Sequence, residues 1–96
     1  MSDILSTEQL HAVMADHPHW EVREGRLVRS IQAESVPAGI SLVVAVAERA
    51  EAAQHHPDID IRYTTLTFGL STHSAGGITD KDVALAAEID ELVDAS

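Results

Sequence analysis

Gln54-His-His-Pro-Asp-Ile-Asp-Ile-Arg-Tyr-Thr-Thr-Leu-Thr-Phe-Gly-Leu-Ser-Thr-His73 is the stretch on which the fold turns. From Ile59 to Ser71 it reads as a β-hairpin. Leu66, Phe68 and Leu70 alternate with Thr65, Thr67, Gly69 and Ser71, the period-two pattern of a strand with one apolar face. A hairpin returns the chain to where it started. His55 and His56, before its first strand, and His73, after its second, are therefore predicted to meet. Imidazole changes charge near neutral pH, so several in one cleft can divide the giving and taking of a proton. These three histidines are the candidate catalytic groups.

The hairpin is entered from a helix. Ser35-Val-Pro37 supplies a capping hydroxyl and then a proline in the first turn, where its missing N–H is harmless. Apolar Ile40, Val43, Val44, Ala47 and Ala50 recur at helical spacing to about Ala53, which delivers the chain to His55. Upstream, the capping box Ser6-Thr-Glu-Gln9 opens a helix from Thr7 to about Asp16, with Leu10, Val13 and Met14 inward, ended by His17-Pro18. Trp20–Arg23 and Arg26–Ala33 read as strands joined at Glu24-Gly25. Downstream, His73-Ser-Ala-Gly-Gly77 is a loop. Thr79-Asp-Lys-Asp82 then starts a last helix along which Val83, Ala86, Ala87, Ile89 and Val93 run. The order α-β-β-α-β-β-α predicts an α+β fold, a four-stranded antiparallel sheet with three helices packed on one face.

At 96 residues, the chain is expected to form a single domain over 1–96 with one modest core. That core is aliphatic, since there is only one Trp, one Tyr and one Phe. A small core makes self-association a reasonable way to bury more apolar area. Six Lys and Arg against 16 Asp and Glu give a net charge of −10, which disfavours binding to nucleic acid or an anionic membrane. The longest apolar run, Leu42 to Ala47, is far short of the ~20 residues of a membrane span. The first residues lack the pattern of a signal peptide, so a soluble cytoplasmic protein is expected. Without cysteine there is no disulfide, thiolate nucleophile or Cys-bound zinc.

The histidines admit blander readings. They could be surface or helix-end groups, as His11, His17 and His19 read to be. Three imidazoles also occur in catalytic zinc sites, although the His-x-x-x-His spacing of familiar zinc enzymes is missing. Ser71 and Ser74 flank His73 without a nucleophile-elbow motif.

Glu51-Ala-Ala-Gln-His-His-Pro-Asp58, then Tyr63, Leu70-Ser-Thr-His73 and Gly77-Ile-Thr-Asp-Lys-Asp82, resemble the pterin-4a-carbinolamine dehydratases. The resemblance implies removal of water from 4a-hydroxytetrahydropterin to give quinonoid dihydropterin, in tetrahydrobiopterin recycling, with no metal or cofactor. It implies His55, His56 and His73 as catalytic groups, and Glu51, Pro57, Asp58, Ser71, Thr72 and Asp82 as substrate-binding positions. It also implies a homodimer or homotetramer. The chain departs from the family pattern at Gln54, where many members carry an acid, and at Ile59, where many carry an aromatic residue. Lys81 stands where arginine is common, and Ala33–Pro37 replaces a Phe-rich segment. A binding or assembly module on the same scaffold is the rival reading.

Overall fold

The seven elements occur in the expected order. The computed structural model describes residues 3–96. Helix α1 covers Thr7–Met14, strands β1 and β2 cover Glu21–Arg23 and Arg26–Gln32, and helix α2 covers Val36–Ala53. Strands β3 and β4 cover Asp58–Arg62 and Thr65–Leu70, and helix α3 covers Asp80–Ala95. The sheet is antiparallel throughout, in the order β1-β2-β4-β3. Each hairpin keeps its sequence neighbours paired, and β2 and β4 join the hairpins at the centre.

Local chemistry explains the element ends. The expected capping box forms between Ser6 and Gln9 on α1, and the cap Thr79 completes a second one with Asp82 on α3. Ser35 caps α2, with Pro37 in its first turn. Glu24 and Gly25 both have positive φ (52° and 75°), as the favoured two-residue hairpin turn requires. The expected first helix stops two residues early, at Met14, and the chain then turns through Ala15 and Asp16.

The core lies between the sheet and the helices. Leu27 from β2, and Leu66, Phe68 and Leu70 from β4, pack against Leu42, Val46 and Ala50 of α2 and Leu85, Ala86 and Ile89 of α3. Leu10 and Met14 bring α1 against its margin. The apolar positions of α2 do not all turn inward. The buried stripe of α2 is Gly39, Leu42, Val46 and Ala50, whereas Ile40 and Val44 are exposed. The helix is apolar on two faces, and periodicity alone does not say which one the sheet takes.

Candidate active site

The candidate site is built at the end of the sheet where the β3–β4 hairpin begins and ends. Register puts Asp58 opposite Gly69, so Gln54–Pro57 and Ser71–His73 leave the sheet at the same end. The exit from α2 is a Schellman motif. His55 N–H bonds to the Ala50 carbonyl at 3.0 Å, and Gln54 N–H to that of Glu51 at 3.1 Å, with Gln54 in the left-handed region at φ 52°. This reversal carries His55 off the helix axis and toward the start of α3.

His55 meets a buried carboxylate there. Its Nε2 lies 2.5 Å from Asp82 Oδ1, and Asp82 has no solvent exposure. Asp82 Oδ2 accepts from the Thr72 hydroxyl at 2.8 Å and from the Thr79 N–H at 2.9 Å. The Thr72 and Thr79 hydroxyls are themselves 2.7 Å apart. Two oxygens thus take three donors, which is how a buried carboxylate is tolerated. Among the described residues no buried side-chain polar atom lacks a partner.

The adjacent histidines have different surroundings. His56 is exposed, and its Nε2 lies 2.8 Å from Glu51 Oε2, one turn back on α2. Pro57 separates this pair from Asp58, whose carboxylate bonds to Arg26 Nη1 at 3.1 Å. His73 is exposed on the loop after β4. The Thr72–Gly77 bridge closes this loop, with Thr72 N–H bonding to the Gly77 carbonyl at 2.8 Å, and Gly76 turns at φ 79°. With Ser71, Thr72, Arg26, Glu24 and Gly25, His73 lines a depression of about 340 Å³.

The hairpin therefore brings its two ends together through Asp82, which His55 and Thr72 share. The three imidazoles on these segments have unlike surroundings: one is backed by a buried anion, one is paired at the surface, and one stands on a loop. Reading the sequence left two participants out. Arg26 lies flat over Gly69, where a Cβ would collide with its guanidinium, and borders the depression of His73. Thr79 looked only like a cap, yet its side chain completes the buried hydroxyl pair. The Thr-x-x-Asp spacing of the capping box was the available signal for Thr79. For Arg26 there was none, because its position depends on the pairing of β2 with β4. Among the described residues, no group of three His, Asp or Glu side chains is arranged to hold a metal ion.

Fold and site together define a small α+β layer that presents imidazoles at one end of a hairpin, one of them seated on a buried carboxylate. The chain belongs to the pterin 4 alpha carbinolamine dehydratase family, whose model matches residues 3–92. A protein of Nocardia farcinica that carries the family's name is 55% identical over 91 residues, covering 95% of this chain and 96% of that protein. One from Chloroflexus aurantiacus is 47% identical over 89 residues, covering 93% and 96%. Among solved structures, a transcriptional coactivator/pterin dehydratase from Brucella melitensis superimposes with a TM-score of 0.89 at 23% identity, covering 94% of this chain and 98% of that one. A pterin dehydratase-like protein identified as a RuBisCO assembly factor in the alpha-carboxysome gives 0.62 at 22% identity, covering 76% and 84%. At such identities these two likenesses speak for the fold.

Proposed function

We propose that the protein is a 4a-hydroxytetrahydropterin dehydratase acting by histidine acid–base catalysis in the recycling of tetrahydrobiopterin. The observation that carries this is the His55–Asp82 pair, at the end of the sheet where the segments bearing His56 and His73 also leave the hairpin. Dehydration breaks the C4a–O bond. An acid protonates the departing hydroxyl so that it leaves as water, and a base takes the proton from N5, whose electron pair then forms the C4a=N5 double bond. Both proton transfers suit imidazole, and nothing is oxidised or reduced. His55 or His56 is assigned the acid. His73 is assigned the base or the group that orients the pterin. Glu51 supports His56, while Pro57, Asp58 and Ser71 border the place where the pterin ring would lie.

The reaction needs no metal or redox cofactor, and the proposed setting is the cytoplasm. Among the described residues, no helix is long and apolar enough to cross a membrane. The partners proposed are the pterin itself and further copies of this chain, in a dimer or tetramer.

Stopped-flow decay of the carbinolamine absorbance at near-neutral pH tests the reading. Pure protein is expected to accelerate the decay well beyond solvent, in proportion to its concentration. A second reading is supported by exposed apolar side chains on α2, Val36, Ile40 and Val44, which suit a scaffold for assembly. Decay at the solvent rate favours that reading over the dehydratase.

A further inference from the structure

The hydrogen bonds around Asp82 have a direction. Thr72 Oγ1 donates to Asp82 Oδ2. A hydroxyl has one proton to give, so in the contact between the two threonines Thr79 is the donor and Thr72 the acceptor. Thr79 Oγ1 in turn accepts from the Lys81 N–H at 3.2 Å, while its own N–H donates to Oδ2. Every proton in the chain points toward the carboxylate. A carboxylate only accepts, so Oδ1 takes the hydrogen carried by His55 Nε2. Thr79 and Asp82 have no exposed surface and Thr72 retains 5%.

We propose that Thr72, Thr79 and Asp82 are positioning residues that act through His55: their side chains hold its hydrogen on Nε2 so that Nδ1 is the atom exchanging a proton. This moves Thr72 and Asp82 from the pocket wall to a support beneath the imidazole. A neutral imidazole has two tautomers, and only the one with its hydrogen on Nε2 leaves Nδ1 free to take up the proton that it then gives to the departing hydroxyl. With Nε2 committed to Asp82, Nδ1 accepts when His55 is neutral and donates once it is protonated. His56 leans on an exposed glutamate and has no comparable backing. The proposal rests on the dehydratase reading for its kinetic test only.

Two-bond 15N–1H spectra of the labelled full chain report which nitrogen of each neutral imidazole carries hydrogen. In the unaltered protein the His55 hydrogen is expected on Nε2. In Asp82→Asn the amide oxygen keeps the Thr72 and Thr79 donors, its NH2 group faces Nε2, and the hydrogen is expected to move to Nδ1. Thr72→Val is expected to give a mixture, and Thr72→Ser to restore the original spectrum. In the dehydration assay, Asp82→Asn and Thr72→Val are expected to lower kcat about tenfold or more with KM unchanged, as for loss of a charge-assisted hydrogen bond. Thr72→Ser should stay within about twofold, because its hydroxyl is kept. A His55 hydrogen on Nδ1 in the unaltered protein overturns the proposal. So does an Asp82→Asn spectrum identical to it, or a Thr72→Val loss that lies wholly in KM. If the unaltered protein leaves the carbinolamine to decay at the solvent rate, the dehydratase reading fails, and the spectra still decide the positioning chain.

Discussion

His55 and His56 are neighbours in sequence, yet their surroundings predict opposite consequences for stability. His55 is the partner of Oδ1 on a carboxylate, that of Asp82, which water does not reach. His55→Ala leaves Asp82 Oδ1 unpaired beneath the surface. The variant is expected to lose about 1–3 kcal/mol, read from urea unfolding at pH 7. His56 and Glu51 form an exposed pair, with side chains 63% and 79% accessible. Solvent screens such a pair, so His56→Ala should stay within about 0.5 kcal/mol of the parent. Equal losses in the two variants would mean that Asp82 is not the partner that distinguishes them. Activity is a separate axis. For a general acid or base, removal of the imidazole costs typically ~10²–10⁴-fold in rate. His73→Ala, on an exposed loop, should show that loss in stopped-flow decay with unfolding unchanged. An unaltered dehydration rate would remove His73 from the mechanism. At this scale the sequence pointed to the residues but not to their environments. Asp82 reads as a first-turn acid favoured by the dipole and, through the resemblance, as a substrate-binding position, with nothing to mark it as buried. Its burial follows from the packing of the Thr72 loop and His55 over it, which no local pattern records.

Elements were more legible than contacts. The alternation in β4, the Ser6–Gln9 capping box, the Thr79 cap and the Glu24-Gly25 turn each have a local cause, and each formed as expected. Gln54 is an exception in that it occupies a left-handed position where glycine is usual. A side chain there is strained by its own Cβ, and only part of that strain is offset by the stiffer unfolded chain. Gln54→Gly is therefore expected to stabilise the fold by about 0.5–1 kcal/mol, seen as a raised urea midpoint. A lowered midpoint would show that the Gln54 side chain contributes more than its backbone costs. The first hairpin is joined to α3 by contacts that no sequence pattern suggested. Trp20 Nε1 donates to Asp90 Oδ1 at 2.8 Å, and the largely buried Arg29 bonds to the same oxygen. His17, read from sequence as a helix-end residue, has its Nδ1 3.9 Å from Asp90 Oδ2. Asp90→Ala strands Arg29 and Trp20 together. It should cost about 2–4 kcal/mol in the same unfolding measurement, a charged partner lost from a partly buried site. A change below about 0.5 kcal/mol would mean that solvent replaces Asp90 there.

Among the described residues, the outer side of α2 is an apolar surface without a partner in the fold. Val36, Ile40 and Val44 follow one another at four-residue intervals along α2, each 42–54% exposed. That spacing puts them in one stripe, on the side of the helix away from Leu42, Val46 and the sheet. The sequence showed this helix as apolar. It could not divide the apolar positions between an inner and an outer face, because both carry aliphatic residues. A stripe of this kind favours burial against another copy of the chain, in keeping with the oligomer proposed. Sedimentation equilibrium of the unaltered protein should return a multiple of the protomer mass. Val44→Glu puts a charge in the middle of the stripe. Burying it without a counter-charge would be costly, while on a free surface it changes stability by no more than about 0.5 kcal/mol. The variant should thus fold normally and sediment as a smaller species, with association weakened at least tenfold. If the parent sediments as a monomer, or if Val44→Glu leaves its mass unchanged, the α2 stripe is not the surface through which copies meet.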